Sequence, residues 1–513
     1  MTVCAPNGMV SSIDHLASSA GVALLRAGGS AADAAIAANA VLAVTSPYAC
    51  GLGGDLFALV HDGTGTPAAL NASGRAGSGA DPERLRAEGH TTMPLRGDIR
   101  TVTVPGCADG WLALHRAYGK RPLADVLAPA IGYAEDGFPA GPHLAARVQE
   151  IDGVAGAADL WGSGPVRPGT RLRRPGVARA LAAVASGDRA AFYRGEFGDG
   201  LRRLGAGLYT EDDLDRPNAD WVTPLSARIQ GRDVWTMPPN SQGYLILLAL
   251  AILEGVDVGD PDDPRWAHLL VEASRLAGHD RPTVLHEHAD VTALLAADEV
   301  ARRRAGLDPE RRAPVADNVA VGDTTYLCAV DDERCGVSLI QSNAAGFGSH
   351  LFEPSTGINL HNRGLGFALA PGHPAEYGPG RRPPHTLAPT LVTDPDGALA
   401  AVAGTMGGDA QPQIMTQVLT RLLRHAAPPG DAVGAPRWGL TGEATGFDTW
   451  DTPDAAVALE AGHPASWPAG LHARGHRVTR TDTVGHAHAI TVGPDGLAGA
   501  ADPRAYIGAA QGY

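Results

Sequence analysis

The sequence predicts an α+β fold in layers, with helices gathered around a mostly antiparallel sheet system. Three observations carry this expectation. The first half of the 513 residues holds Ala-rich and apolar segments at helical spacing, broken at glycine pairs. After about residue 320 the texture changes to short β-type runs separated by Gly, Asn and Asp turns. The chain is also 44% hydrophobic and 19% charged, which fills a large core and excludes a disordered protein.

Residues 12–46 read as two helices broken at Gly28-Gly29, with Ser30 as the cap and Asp33 as the first-turn acid of the second. The turn GLGGD (51–55) leads into LFALVHDG, a strand that ends in a hairpin. A further helical block spans 110–118 and 123–136, and helices are expected at 176–186, 199–205, 243–254 and 265–279. Arg302 to Pro314 is charged, Arg-rich and bounded by proline without apolar periodicity, which predicts an exposed linker. Beyond it TYLCAVDD, CGVSLIQSN, TGINLHN, TLAPTLVTD and LAAVAGTM form the β-rich third. No internal repeat is present, so the layers draw on both halves of the chain.

With 41 basic and 56 acidic residues the formal charge is -15, and no Lys/Arg cluster exists to track a phosphate backbone. Nucleic acid is therefore not an expected partner. Lys120 is the only lysine, a compositional bias without functional content. Five scattered cysteines (4, 50, 107, 328 and 335) lack a C-x-x-C pair, so buried free thiols are expected and not disulfides or a zinc site. Residues 1–20 lack the pattern of a signal peptide and no stretch reaches membrane-span length, so a soluble cytoplasmic protein is expected.

Generic catalytic motifs are absent: there is no G-x-S-x-G, Walker A or H-E-x-x-H. The pairs His286/His288 and His486/His488 have no third ligand at a credible spacing, so neither metal nor cofactor is expected. One segment stands out in its context: Gly322-Asp323-Thr324-Thr325-Tyr326, at the junction between the expected linker and the first strand of the β-rich part.

Around that junction lie AGGSAADAAIAANAVLAVTSPYACGLGGD (27–55), VPGCADGWLALHRAYGKRPLADVLAPAIGYAEDGFP (104–139), TMPPNSQG (236–243) and HLLVEASRLAGHDR (268–281) on one side. On the other come DTTYLCAVDD (323–332), SLIQSNAAGFGS (338–349), GTMGGDAQPQ (404–413) and GAADPR (499–504). In this order the segments resemble the gamma-glutamyltransferase (glutathione hydrolase) family of N-terminal-nucleophile hydrolases, nearly end to end.

The resemblance implies a four-layer αββα sandwich and an inactive precursor that cleaves itself between Asp323 and Thr324. The products would be an α subunit (1–323) and a β subunit (324–513), intertwined in one unit; whether αβ units pair again is left open. Thr324 would be the nucleophile, its freed α-amino group acting as base. Gly407 and Gly408 match the family's oxyanion pair, Ser342 a hydroxyl that hydrogen-bonds the nucleophile, and Thr325 the residue that follows it.

The chain departs from the family where an amino acid's α-groups would bind. Ser73 stands at the family's Arg position, with Arg75 two residues on, which on a strand moves the charge by ~7 Å. In GINLHNRGLGF, Arg363 replaces a Gln and Gly366 an Asp. Ala344 replaces an Asn, and His385-Thr386 replace paired serines. These changes resemble the branch that includes oxamate amidohydrolase, glutathione-hydrolase-like proteins and actinobacterial homologues that cleave carbon-carbon bonds. They point to a small carboxylate-bearing amide without a free α-amine, recognised through Arg363, Arg75, His385 and Thr386. Two alternatives stay open: a carbon-carbon bond hydrolase using the same acyl-enzyme, and a non-catalytic homologue that remains uncleaved.

Overall fold

The structure, a computed structural model, describes residues 1–161, 164–315, 324–441 and 455–513 of a continuous chain. Among the described residues two seven-stranded sheets form the centre. The first runs, edge to edge, Ala509–Gly512, Met9–Ser12, Thr325–Val330, Gly336–Ser342, Asp55–His61, Ala68–Ala72 and Asp220–Val222. The second runs Val3–Ala5, Gly496–Ala501, Ala487–Gly493, Leu399–Thr405, Thr390–Thr393, Arg232–Thr236 and Leu225–Ile229. All pairs within both sheets are antiparallel.

The two sheets pack face to face, with Tyr326, Ile340 and Phe57 from the first meeting Leu391, Val402 and Ile490 from the second. Helices His15–Arg26, Ala31–Thr45 and Cys107–Tyr118 cover the outer face of the first sheet. Helices Tyr244–Leu253, Gln411–Leu423 and Pro429–Gly434 cover the outer face of the second. This is the four-layer αββα sandwich, and strands from both ends of the chain build each sheet.

Local sequence accounts for the elements. Ser30 and Asp33 form a reciprocal capping box that starts Ala31–Thr45, and every residue of that helix is buried because alanine permits close packing on three sides. Tyr244–Leu253 is apolar all round and lies between the second sheet and helix Pro264–Gly278. The three-stranded sheet Trp438–Thr441, Ala456–Glu460 and Val478–Thr481 joins that helix layer, where Trp266 stacks on Trp467.

Two expectations need correction. Arg302–Pro314 is not solvated throughout: helix Ala297–Arg304 takes in its start, Arg303 is buried between Asp280 and Glu299, and Ala313 is buried. Paired charges hide this packing from a hydrophobic-periodicity reading. Of the cysteines, which are all unpaired, Cys50, Cys107 and Cys328 are buried but Cys4 is exposed. Among the described residues no helix is long and apolar enough to cross a membrane.

The two sheets approach closely at Gly404, where an added Cβ would fall 2.2 Å from the Tyr326 ring. Gly404→Ala should therefore cost ~1–3 kcal/mol, the usual scale of overpacking, read as a lowered urea midpoint at unchanged slope.

Candidate active site

Strand register assembles the centre of the site. Thr325 pairs with Gln341, and Ser342 pairs with Asp55 on the next strand. Thr324, Ser342 and Asp55 consequently sit at the same end of three adjacent strands. All three are buried.

The Thr324 hydroxyl donates to the Ser342 hydroxyl at 3.0 Å, which leaves the Thr324 oxygen's lone pairs for attack. Ser342 Oγ also accepts from the Ala344 amide at 2.8 Å and from Arg363 Nη2 at 3.3 Å. The other arm of Arg363, Nη1, donates to Thr386 Oγ1 at 3.0 Å. Thr325 Oγ1 donates to the Gln341 carbonyl at 3.2 Å and so secures the first strand residue after Thr324.

Gln242 continues the chain of contacts. Its Nε2 donates to the Thr386 carbonyl at 3.0 Å and to the Gly408 carbonyl at 3.1 Å. Gly407 and Gly408 have φ of 137° and 55°, both in the region that glycine alone adopts without strain. Next to them, Asp409 pairs with Arg281 at 3.2 Å.

Beneath Arg363 lies a buried acid and two imidazoles. Asp55 Oδ2 accepts from His385 Nε2 at 3.1 Å and lies 3.6 Å from His361 Nδ1, while Oδ1 accepts from the Gly74 amide at 2.9 Å. Burial alone would raise the Asp55 carboxyl; His361, His385 and the Arg363 guanidinium more than offset it and hold it at about 2. Burial and then Arg363 push His385 down to about 3. Burial lowers Arg363 to about 10 against the opposing pull of Asp55 and Asp409. At neutral pH the site thus holds a charged arginine, an ionised Asp55 and a neutral His385.

The expected substrate residues divide. Arg363 and Thr386 are in the cluster, but Arg75 is not: Asp220 at 3.3 Å and Glu287 at 3.6 Å claim its guanidinium toward the sheet edge. His385 is also corrected, since it is fully buried with Nε2 on Asp55, Nδ1 accepting from the Leu387 amide at 3.3 Å, and Phe57 against its ring. Its contacts are structural ones that hold Asp55 and the Leu387 amide in place. Asp323 lies outside the described residues.

Of the two positions that the resemblance assigns to α-group ligands, Ser73 is hydrogen-bonded within an Asn71–Ser73–Asn240 cluster. A Cβ on Gly366 would lie 2.3 Å from the Pro384 carbonyl, so this backbone leaves no room for an aspartate there. Sequence reasoning did not assign roles to Asp55, His361, Gln242, Asp409 or Arg281. Their signal was a polar side chain set inside an otherwise apolar or glycine-rich motif, as in GLGGD and TMPPNSQG.

A buried threonine hydroxyl at the head of a central strand in an αββα sandwich, joined through Arg363, Thr386 and Gln242 to a glycine turn, defines an enzyme of the N-terminal-nucleophile hydrolase class. The chain belongs to the gamma-glutamyltranspeptidase family, whose model matches residues 17–512. It is 36% identical to the oxamate amidohydrolase proenzyme of Klebsiella pneumoniae, an alignment covering 99% of this chain and 98% of that one. It is likewise 36% identical to the glutathione hydrolase-like YwrD proenzyme of Bacillus subtilis, covering 97% of each. Among solved structures it resembles cephalosporin acylase from Bacillus halodurans, with a TM-score of 0.89 and 34% identity over 100% of this chain and 97% of that one.

Burial, chiefly, holds His385, His476 and His486 down to about 3 and His488 to about 4. An unfolded histidine takes up its proton near pH ~6.5, so between there and about 4 the unfolded chain binds more protons and stability rises with pH. The urea midpoint should fall steadily from pH 7 to pH 5, and His385→Gln should flatten the slope by up to ~1.4 kcal/mol per pH unit. A midpoint independent of pH would mean that these rings are charged in the fold.

Proposed function

We propose that this protein is a self-processing amidohydrolase that uses Thr324 to form an acyl-enzyme with a donor carrying a carboxylate but no free α-amine. The observation that carries the proposal is the hydrogen-bonded line Thr324–Ser342–Arg363–Thr386, which sets a nucleophile and a cation side by side.

In the first stage the Thr324 hydroxyl attacks the carbonyl of residue 323, and the Thr324 nitrogen leaves as the chain shifts from amide to ester. Water hydrolyses the ester, which yields the α subunit (1–323) and a β subunit (324–513) with a free α-amine. That amine, with a reference pKa near ~8, then takes the hydroxyl proton when Thr324 attacks a donor. The amides of Gly407 and Gly408 receive the developing oxyanion, and the leaving amine departs with the proton. Water or another amine resolves the acyl-enzyme. These steps are complete with the chain's own groups and water.

Donor choice follows from charge. Gly366 and the Ser73 cluster supply no carboxylate or guanidinium for an amino acid's α-groups, whereas Arg363 presents a planar fork suited to a carboxylate. A cavity of about 420 Å³ opens beside Thr386 and Gly366, with Phe367, Leu369 and Leu285 among its apolar walls and Arg281 at its polar side. That volume accommodates an acyl group with a short aliphatic portion.

N-terminal sequencing of the smaller fragment should read Thr-Thr-Tyr-Leu, and Thr324→Ala should run as one full-length chain on a denaturing gel. A different first residue, or cleavage of the alanine variant, removes Thr324 from its role.

On the processed enzyme, kcat/KM for glutaryl p-nitroanilide should exceed that for the gamma-glutamyl compound by ~10-fold or more, since an ammonium buried without a partner forfeits ~10²-fold or more in specificity. Arg363→Gln should lower the glutaryl value by ~10²-fold and shrink the gap between the two. Preference for the gamma-glutamyl compound would overturn the donor assignment alone.

A further inference from the structure

The segment HLLVEASRLAGHDR carries polar residues that the chemistry above leaves unused. On helix Pro264–Gly278, His268, Glu272 and Arg275 stand four and three residues apart, so they form one stripe. All three are essentially inaccessible to solvent. Each reaches the main chain of the stretch that precedes the scissile bond. His268 Nε2 donates to the Asp308 carbonyl at 2.8 Å, Glu272 Oε2 accepts from the Ala313 amide at 2.5 Å, and Arg275 Nη2 donates to the Val315 carbonyl at 2.7 Å.

The stripe is braced from within and without. Arg275 Nη1 donates to Glu272 Oε1 at 2.7 Å, and His476 Nε2 lies 2.8 Å from His268 Nδ1. With Nε2–H of His268 on a carbonyl, its Nδ1 is the acceptor, so His476 donates. From the far side Arg474 Nε donates to the Pro309 carbonyl at 2.9 Å, and the Arg474 carbonyl accepts from the Arg312 amide at 2.9 Å.

His268, Glu272 and His476 do lie close enough together to be compared with a metal site. Both Glu272 oxygens are already used by Arg275 and Ala313, however, and the two imidazoles are hydrogen-bonded to each other. The cationic Arg275 beside them further opposes a metal ion. The chemistry present is that of a clamp on backbone groups, indifferent to the side chains it holds.

We propose that His268, Glu272 and Arg275 are positioning residues for self-cleavage, which anchor the chain at residues 308–315 so that the bond before Thr324 is presented to its hydroxyl. The proposal rests on the self-processing read above. Val315 is nine residues before Thr324, and the chain ahead of it is also held at Ala313, Arg312, Pro309 and Asp308, beyond which the end of helix Ala297–Arg304 is twenty residues before Thr324. If loss of the stripe frees the whole stretch, the Arg474 contacts included, the tether lengthens from nine to twenty residues and its ends are diluted about 3-fold by chain statistics, with loss of orientation adding to that. Arg281, three residues beyond the end of this helix, pairs with Asp409, which follows Gly408.

The test follows precursor conversion after pulse-labelled cell-free synthesis of the full chain with Thr324 intact, at a temperature well below each variant's melting midpoint; those midpoints are determined separately on Thr324→Ala versions, which do not convert. The double variant Glu272→Ala/Arg275→Ala should convert at least ~3-fold more slowly than the parent, Glu272→Ala and Arg275→Ala should each convert more slowly than the parent, and Arg275→Lys, which keeps a donor for Val315, should convert faster than Arg275→Ala. Conversion of all variants at the parental rate under those conditions would overturn the clamp, as would a lysine variant no better than alanine. Failure of the parent chain to convert, or conversion of Thr324→Ala, would instead refute the nucleophile assignment.

Discussion

The pairing register of three central strands is the constraint on which the site depends. Because side chains alternate along a strand, a slip of one residue between Thr325–Val330 and Gly336–Ser342 would turn Ser342 away from Thr324 and put Gln341 or Asn343 in its place. The buried core between the sheets forbids that slip. Tyr326, two residues from Thr324, is wedged against Gly404 and its hydroxyl meets Ser338 at 2.9 Å, so packing fixes the position of Thr324.

Electrostatics supplies the second layer of order. Two buried arginines, Arg363 and Arg281, are matched by two buried carboxylates, Asp55 and Asp409. Desolvating four such charges is expensive, and the cost is met by fixed hydrogen bonds from main-chain amides, imidazoles and hydroxyls. His385 hydrogen-bonds Asp55, while Ser342 and Thr386 orient the two arms of the Arg363 fork.

Much of the architecture was legible in the chain. The capping box at Ser30, the glycine breaks and the switch from helical to strand periodicity near residue 320 are local, short-range signals, and the helices and strands follow them closely. The Gly407-Gly408 pair was picked out by resemblance to the family, and its positive φ values are what make glycine necessary there. Arg302–Pro314 was misread because its packing is polar: Arg303 and Ala313 are buried through ion pairs and backbone hydrogen bonds, to which an apolar pattern is blind. Arg75 was misread because spacing along a strand says where a charge starts and not which carboxylates across the fold will claim it.

The sequence by itself determined the family and the layered α+β class, and through the resemblance it singled out Thr324 as the candidate nucleophile and Ser73 and Gly366 as departures from the family pattern, because motif order and residue type are properties of the chain. Tertiary structure alone decided which of Arg75 and Arg363 reaches Ser342, that His385 holds Asp55, that Gly366 has no space for a side chain, and that His268, Glu272 and Arg275 grip the chain ahead of Thr324. Each of these is a contact between residues tens to hundreds of positions apart, and distances of that kind are set by the packing of the two sheets and their helices and not by any local pattern.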